Sequence, residues 1–360
     1  MTASIVFTQP YVPRYRVPLF DALAKELAAR DMSLTVLSGR PEGEQARRKD
    51  QATGPWHREL PVCRVSVGHR RIELRQLPQI VHDADVIVSE LSALNLEAWR
   101  LAVRGRPLVL WGHGKSYTSK GGWLSDRLEW SLARRAAHVM TYAPSGARFL
   151  VDEGGLDKSR VTAIGNSTDT ATLRRAHREA VNEAPKESLR ASRPPGALFV
   201  GGIDSTKRID FILEAFAHAV ALEPGFRLHV VGDGPMANVI DDYSTRDPRI
   251  VRYGDLRGRQ LADVAVLADA VWMPGRVGLV AVDALALGLP VHTTNFEFHA
   301  PEIEFLRGPE LVVLPDRPVD FARLSLESIE TSPVSLRDDI PSVQNVATSM
   351  RLVIERVLGQ

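Results

Sequence analysis

The feature that most constrains this sequence is a repeated alternation of short apolar, β-branched segments with amphipathic ones. "SIVFTQ" at 4–9 predicts a strand, and "VPLFDALAKELAAR" at 17–30 predicts a helix with Leu19, Leu23 and Leu27 on one face. Further strands are predicted at 33–39, 85–90, 107–112, 138–143 and 160–166. Apolar strands separated by helices are typical of a parallel sheet covered on both faces, so we expect a doubly wound α/β domain.

The alternation stops once and then starts again. Residues 181–195, "VNEAPKESLRASRPP", are polar, contain proline and lack periodicity, which predicts a linker. Beyond it, strands are predicted at 196–202, 226–235, 249–255, 270–275, 290–294 and 310–315, with helices at 208–221, 259–268 and 277–287. We therefore expect two Rossmann-like α/β domains, 1–180 and 196–341, facing each other across an interdomain cleft. A last helix within 342–360 is expected to pack back on the first domain.

The composition limits the class of protein. A chain of 360 residues suits two domains, and 44% hydrophobic with 25% charged residues is typical of a soluble protein. No apolar run approaches the ~20 residues that span a bilayer, and the N-terminus lacks the pattern of a signal peptide. Cys63 is the only cysteine, which excludes an internal disulfide. We expect a cytoplasmic protein.

The small net charge of +1 hides an asymmetry. Residues 1–180 hold 27 Lys and Arg against 19 Asp and Glu, a balance of +8, and the remainder holds 18 against 25, a balance of −7. The segment 121–138 carries Trp123, Leu124, Leu128 and Leu132 along one side. A helix packed on the sheet is the favoured interpretation, while a helix lying on an anionic membrane gives the same pattern. No recognised nucleic-acid module is present, so nucleic acid is not an expected partner.

Two glycine-bearing loops follow predicted strands of the second half. "FVGGIDSTKRIDFILEAF" at 199–216 ends a strand at Gly201 and Gly202 and carries Lys207 just before a helix. Glycines let a backbone approach a ligand, and a helix start favours an anion, so Lys207 is a candidate to neutralise a diphosphate. A solvated lysine at a helix start fits the pattern equally well. The turn Gly232-Asp233-Gly234 either borders a nucleotide base or simply reverses the chain.

A third stretch, "PGRVGLVAVDALALGLPVHTT" at 274–294, predicts a helix with a glycine-flanked start. The amides from Gly275 to Gly278 are candidates to bind phosphate. Asp283 lies about five residues into the predicted helix, and at ~1.5 Å per residue that offset resembles the distance from a diphosphate to the ribose hydroxyls. A solvated carboxylate on the helix face is the alternative.

The order of these motifs carries a resemblance. The Gly-Gly loop with Lys, then "VVGDGP", "YGDL" and "ADAVWMPG…GLVAVDALALGLPV", resembles the C-terminal half of a family 4 (group 1) glycosyltransferase with the GT-B fold. "YVPRYRVPLFDALA" resembles the opening of exopolysaccharide and O-antigen members, and the stretch ending in "IGNSTDT" resembles the family's segment before the interdomain linker. The resemblance covers nearly the whole chain.

The resemblance implies transfer of a sugar from a nucleoside-diphosphate sugar with retention of configuration, without a metal or another cofactor. Lys207 and the amides of 275–278 match the groups that stabilise the leaving diphosphate. His113, directly after a predicted strand and between two glycines, matches a histidine that touches the donor sugar. Polysaccharide biosynthesis is the implied context. The acceptor is expected to be lipid-linked, a saccharide or a small molecule.

The sequence departs from the family pattern at two places. Where the family has an Arg in the first loop this chain has Gly202, and where it has the first of two spaced Glu residues this chain has Gly275; Asp283 stands for the second Glu. Arg276 is a candidate to supply the missing charge by clamping the diphosphate, and Glu302 a candidate for the missing carboxylate.

The remaining candidates are less specific. Asn166 and Asp169 fall near the predicted hinge, and Tyr11, Arg14 and Arg16 fall in the first loop, on the expected acceptor side. Neither half has Gly-x-Gly-x-x-Gly after its first strand, which argues against an oxidoreductase. Two alternatives stay open, an inactive GT-B protein that binds nucleotide sugar and a GT-B nucleotide-sugar epimerase. A basic first half also suits peripheral contact with the inner face of a membrane.

Overall fold

The computed structural model describes residues 2–41, 50–60, 62–67, 70–75, 77–117, 122–185, 193–331 and 337–359. The chain forms two compact units. Unit 1 comprises Met1–Thr168 together with Ser342–Gln360, and unit 2 comprises Asp169–Pro341.

Unit 1 is built on a parallel sheet of seven strands in the order β3-β2-β1-β6-β7-β8-β9, beside a separate antiparallel hairpin of β4 and β5. The strands are β1 Ala3–Gln9, β2 Met32–Ser38, β3 His57–Glu59, β4 Val62–Val67, β5 Arg70–Arg75, β6 Val86–Glu90, β7 Leu108–Gly112, β8 His138–Thr141 and β9 Val161–Ala163. The helices are α1 Val17–Ala28, α2 Gln79–His82, α3 Leu96–Val103, α4 Trp123–Arg135 and α5 Pro144–Asp152, with α12 Val343–Leu358 from the end of the chain.

The last helix belongs to unit 1 because its apolar face completes that core. Val346, Met350 and Ile354 are buried in the same cluster as Leu23 and Leu27 of α1. The polar edges of the two helices also meet, since Nε of Arg351 donates to Oε2 of Glu26 at 2.9 Å. One buried face on each helix thus fixes how they pack.

Unit 2 is a second parallel sheet, of six strands in the order β12-β11-β10-β13-β14-β15. Its strands are β10 Gly196–Val200, β11 Arg227–Val231, β12 Ile250–Gly254, β13 Ala270–Trp272, β14 Val291–Thr294 and β15 Leu311–Leu314. Its helices are α6 Thr170–Glu183, α7 Ile209–Leu222, α8 Ala237–Arg246, α9 Gly258–Ala265, α10 Val280–Leu287 and α11 Pro318–Thr331.

The boundary between the units lies earlier than the sequence predicts. Helix α6, placed by the sequence in the first domain, belongs to unit 2 because Leu173, Ala176 and Ala180 pack into the core of that unit. Asp169 begins this helix, as its Oδ1 accepts the amide hydrogen of Thr172 at 3.2 Å. Of the predicted linker, 186–192 lies outside the described residues.

The strand order fixes where a ligand site can form in unit 2. Strand β10 lies between β11 and β13, so the chain crosses the sheet in opposite directions on its two sides. At such a switch point α/β folds bind ligands beyond the carboxyl ends of the strands, beside the loops that follow β10 and β13. These are the loops that carry Lys207 and Arg276. Among the described helices, none is long and apolar enough to cross a membrane.

Candidate functional site

The loops after β10 and β13 are bound directly to each other. Nζ of Lys207 donates to the carbonyl oxygen of Arg276 at 2.6 Å, and the amide of Arg276 donates to the carbonyl oxygen of Thr206 at 2.9 Å. Both contacts use the main chain of Arg276, so its partly buried side chain contributes to neither. The structure thus joins Lys207 and Arg276, which the sequence proposes as separate candidates, in one cluster.

Gly275 is the residue that lets these two loops touch. A Cβ atom there would lie 2.3 Å from the carbonyl oxygen of Thr206 and 2.9 Å from Cα of Lys207. Both neighbours are backbone atoms, which cannot rotate away. The place where the family has its first Glu is therefore filled by the loop that carries Lys207, and a longer side chain at 275 would separate the loops.

A histidine that the sequence analysis did not select connects a third loop. Nδ1 of His299 accepts the amide hydrogen of Val277 at 3.1 Å, and its Nε2 lies 3.0 Å from the carbonyl oxygen of Thr294, at the end of β14. The pKa of His299 is lowered, mainly by burial, and further by the nearby cations Lys207 and Arg276. Its position before "APE" gave no ligand-spacing signal, because both partners are main-chain atoms.

Helix α10, which follows the loop after β13, starts at Val280 instead of the predicted residue 277. This start corrects which backbone amides are candidates to bind phosphate. The amides of Arg276 and Val277 donate to protein atoms, whereas those of Leu279 and Val280 come too early to donate within the helix. The amides at the start of α10 are therefore those of Leu279 and Val280, which lie beyond the predicted stretch 275–278. Asp283 lies in the first turn of α10 and is partly buried.

The glycines after β10 and β11 serve loop packing. Gly201 and Gly232 both have φ of +144°, a conformation that favours glycine. A Cβ atom on Gly232 would clash with the carbonyl oxygen of Gly201. A Cβ on Gly234 would lie 2.5 Å from the Ile203 carbonyl oxygen, and the Asp233 carbonyl accepts the amide hydrogen of Ile203 at 2.9 Å. The turn at 232–234 thus supports the Lys207 loop.

Gly202 differs from its neighbours, because it is exposed and sterically open. A Cβ atom there would have its nearest contact at 3.5 Å, with Oδ2 of Asp204. The place where the family has its loop Arg is therefore spatially available, in contrast to the crowded place at Gly275.

A second unselected residue, Arg208, carries another positive charge beside Lys207. It has φ of +57°, unusual for a residue with a side chain. Its Nη1 lies 2.5 Å from Oδ1 of Asp316 and 3.3 Å from Oγ1 of Thr294, and its guanidinium lies 4.4 Å from the Phe211 ring centroid. These contacts hold Arg208 against the ends of β14 and β15.

In unit 1 the structure places His113 directly after β7, exposed and among aromatic rings. Its ring centroid lies 4.8 Å from that of Tyr142 and 5.6 Å from that of Tyr117. Its carbonyl packs on Gly146, where a Cβ would clash, and Gly114 has φ of +78°. Gly114 and Gly146 thus fix the backbone at His113, whose side chain is exposed.

Arg16 lies at the same carboxyl edge of the unit 1 sheet. Its guanidinium donates to Oε1 of Gln9 at 2.5 Å and to the Tyr142 hydroxyl at 2.8 Å, and lies 4.5 Å from the Trp111 ring centroid. Arg16 thus connects the ends of β1, β7 and β8, next to His113.

The other residues that the sequence proposes are buried, exposed or helix-capping. Tyr11 and Asn166 are buried in unit 1, and Arg14 is exposed. Asp169 caps α6, which is a structural role. Glu302 is buried at the start of a short 3₁₀ helix, Pro301–Phe305. Among the described side chains, no three His, Cys, Asp or Glu residues are grouped as metal ligands.

The favoured interpretation of the segment 121–138 is wrong for its first two turns. Leu132 and Ala133 of α4 are buried, as sheet packing requires. Trp123, Leu124 and Leu128, however, are 67%, 62% and 43% exposed. The Arg127 guanidinium lies 4.5 Å from the Trp123 ring centroid. We call Trp123, Leu124, Arg127 and Leu128 the α4 patch.

Family models match both units. Residues 19–172 match "Glycosyltransferase Family 4", and residues 194–330 match "Glycosyl transferases group 1". The chain carries both domains of a GT-B glycosyltransferase. It is 24% identical over 315 residues to a glycogen synthase of Mycobacterium tuberculosis. The aligned region covers 76% of this chain and 72% of the relative.

Solved structures agree on the GT-B fold. Anabaena HepE in complex with UDP superposes with a TM-score of 0.63 at 15% identity, covering 99% of this chain and 95% of that one. The UDP-GlcNAc 2-epimerase of Methanocaldococcus jannaschii gives 0.62 at 11% identity, covering 98% of this chain and 99% of that one. The fold is therefore shared with an epimerase and with a lipopolysaccharide outer core galactosyltransferase, WaaB.

Proposed function

We propose that this glycosyltransferase moves a sugar from a nucleoside-diphosphate sugar, with retention and without a metal, to a lipid-linked, saccharide or small-molecule acceptor. The observation that carries the proposal is the contact between Lys207 Nζ and the Arg276 carbonyl. It holds the loops after β10 and β13 together at the switch point of the unit 2 sheet, where α/β folds bind nucleotides.

The proposed mechanism stabilises charge on the leaving diphosphate. Lys207 and the Arg276 guanidinium supply cations, and the first amides of α10 supply hydrogen-bond donors near the same loops. Asp283, one turn into the helix, binds the ribose hydroxyls. As the sugar–phosphate bond breaks, the acceptor oxygen attacks from the same face, and a donor phosphate oxygen takes the acceptor proton.

Unit 1 is assigned the acceptor, and His113 is assigned the contact with the donor sugar that the family resemblance implies. His113 is exposed at the end of β7, and the Arg16 contacts fix the surrounding strand ends. The acceptor side is supported by the charge of unit 1, whose residues 1–168 and 342–360 hold 26 Lys and Arg against 18 Asp and Glu, a balance of +8 that suits an anionic surface or substrate. We place the enzyme in the cytoplasm, at the inner membrane face, in an exopolysaccharide or O-antigen type of pathway.

The donor is tested first, with UDP and UDP-sugars because HepE was solved with UDP. Thermal shift against UDP-, GDP-, dTDP- and CMP-sugars identifies the nucleotide, since a ligand that binds the folded state raises Tm. Release of free nucleotide diphosphate is then measured with and without candidate acceptors, in EDTA and in Mg²⁺. Acceptor-dependent release that EDTA leaves unchanged is the expected result.

Lys207→Met should lower kcat/KM by about 10²–10³-fold, the effect of removing one preorganised charge donor. Lys158→Met, on an exposed 3₁₀ turn of unit 1, is the matched control and should leave turnover unchanged. Equal turnover in both variants would contradict the role of Lys207.

Two observations support alternative functions, which the nucleotide-binding and nucleotide-release measurements also test. The packing at Gly275 leaves no room for the family's first Glu, which favours an inactive nucleotide-sugar-binding protein. The similarity to an epimerase favours isomerisation of a UDP-sugar. Nucleotide binding without turnover would identify the first, and isomerisation without acceptor would identify the second.

A further inference from the structure

His299 connects the loop after β13 to the loop after β14 through both of its ring nitrogens. Nδ1 lies 3.1 Å from the Val277 amide nitrogen and Nε2 lies 3.0 Å from the Thr294 carbonyl oxygen. The residue that follows adds a main-chain contact, because the amide of Ala300 donates to the Val277 carbonyl at 2.8 Å. Val277 is thus held on both sides by the 299–300 segment.

The partners of the ring define its protonation state. An amide N–H only donates, so Nδ1 must be the unprotonated acceptor, and a carbonyl oxygen only accepts, so Nε2 must carry the hydrogen. The bridge therefore requires a neutral imidazole with its proton on Nε2. A doubly protonated ring would present a second N–H to the amide of Val277 and break this contact.

The loop that His299 bridges, after β13, also accepts the hydrogen bond from Lys207. The residue before Val277 is Arg276, whose carbonyl accepts from Lys207 Nζ and whose amide donates to Thr206. We infer that His299 is a positioning residue, whose neutral imidazole fixes residues 276 and 277 and thereby sets where Lys207 and Arg276 present their charges to a nucleotide diphosphate. This inference rests on the proposed donor site.

The surroundings of the ring favour its neutral form. Two cations lower the pKa of the ring, Lys207 from the loop after β10 and Arg276 from the loop after β13. The Thr294 carbonyl acts in the opposite direction but is outweighed by burial, so the pKa stays below 6.5. The Phe296 ring, whose centroid is 5.8 Å away, covers the imidazole edge-to-face. The bridge should therefore persist through neutral pH and fail only in acid.

The test measures the Kd of the identified nucleoside diphosphate, beginning with UDP, from pH 5 to 8. His299→Leu should raise Kd about tenfold at pH 7.5, as expected for losing a hydrogen-bond bridge that orders the loop. His299→Asn, whose Oδ1 can still accept from Val277, should remain within about threefold of wild type. His218→Leu, on α7, is the matched control and should be unchanged.

The pH profile separates positioning from simple structural support. Wild-type Kd should rise as pH falls from 7 to 5 by more than the His299→Asn Kd does, since the asparagine cannot be protonated and the titration of the ligand is common to both. Identical profiles for wild type and His299→Asn would overturn the inference, as would a His299→Leu Kd equal to wild type. If His299→Leu does not fold, the His299→Asn profile decides alone. A wild type that binds no nucleotide would instead reject the proposed function.

Discussion

A Cβ atom on Gly275 would lie 2.3 Å from the carbonyl oxygen of Thr206. The departure from the family pattern at this position is therefore not a simple loss of an acid. The loop that carries Lys207 occupies the space, and the two loops are joined by the Lys207–Arg276 contact that the packing permits. Backbone packing thus fills the place of the acid, and Lys207 lies in contact with the neighbouring loop.

This packing predicts how substitutions at neighbouring glycines differ. Gly275→Ala should lower the free energy of unfolding by about 1–3 kcal/mol, the cost of overpacking against atoms that cannot rotate away. Gly278→Ala is the matched control, since a Cβ there would make an ordinary 3.8 Å contact with Ala300. Urea unfolding measures both. Equal stability losses would show that the Thr206 contact does not constrain residue 275.

Gly202 offers the opposite experiment, because a side chain can be added there. Gly202→Arg restores a cation where the family has one and should lower the KM for the nucleotide sugar severalfold through a charge-assisted hydrogen bond to phosphate. Gly122→Arg, at an open position before α4, adds the same charge in unit 1. If both variants change KM equally, the gain reflects net charge alone.

The contacts of Arg276 to Thr206 and Lys207 use its main chain, so a substitution of its side chain keeps the atoms that make both contacts. Arg276→Ala should raise the KM for the donor about tenfold to a hundredfold, as expected for a lost charge-assisted contact. Arg276→Lys should recover part of the loss because it keeps the charge but not the bidentate geometry. Unchanged turnover and nucleotide affinity in Arg276→Ala would reject its role as a diphosphate clamp.

Acid should destabilise unit 2 through His229. Burial, together with the nearby cations Arg193 and Arg227, lowers the pKa of this histidine to about 4. Between pH 6.5 and 4 the unfolded chain binds a proton that the folded chain does not, so the free energy of unfolding falls with falling pH by up to ~1.4 kcal/mol per pH unit.

Urea unfolding from pH 7.5 to 4.5 measures this slope. His229→Gln should make the slope shallower. Tyr253→Phe, which removes the hydroxyl 2.9 Å from Nδ1 but keeps the histidine, should retain it. A slope that His229→Gln leaves intact would assign the acid sensitivity to other groups.

The α4 patch predicts binding to anionic membranes. Leu124→Glu combined with Leu128→Glu should reduce sedimentation with phosphatidylglycerol vesicles at least tenfold, since it replaces apolar contact with like-charge repulsion. Val103→Glu, at a 76% exposed site at the end of α3, is the control. Vesicle binding that survives the double substitution would place any membrane contact elsewhere.

The sequence by itself determined most strands of the two parallel sheets and the residue types in the loops after β10 and β13. The alternation of apolar strands and amphipathic helices predicts both sheets, and Leu19, Leu23 and Leu27 are buried along α1 as the spacing requires. Local periodicity suffices here, because each face is set by residues within a few turns. It also placed Lys207 and Arg276 in loops after strands, as the structure has them.

Only the tertiary structure decided what these residues contact. Lys207 and Arg276 are 69 residues apart, and their contact depends on the order in which β10 and β13 pair. The same holds for His299, whose partners are main-chain atoms that leave no pattern in the sequence. The exposure of Trp123 and the assignment of α6 to unit 2 likewise depend on which surfaces meet. Periodicity specifies that a face is apolar, but packing decides what covers it.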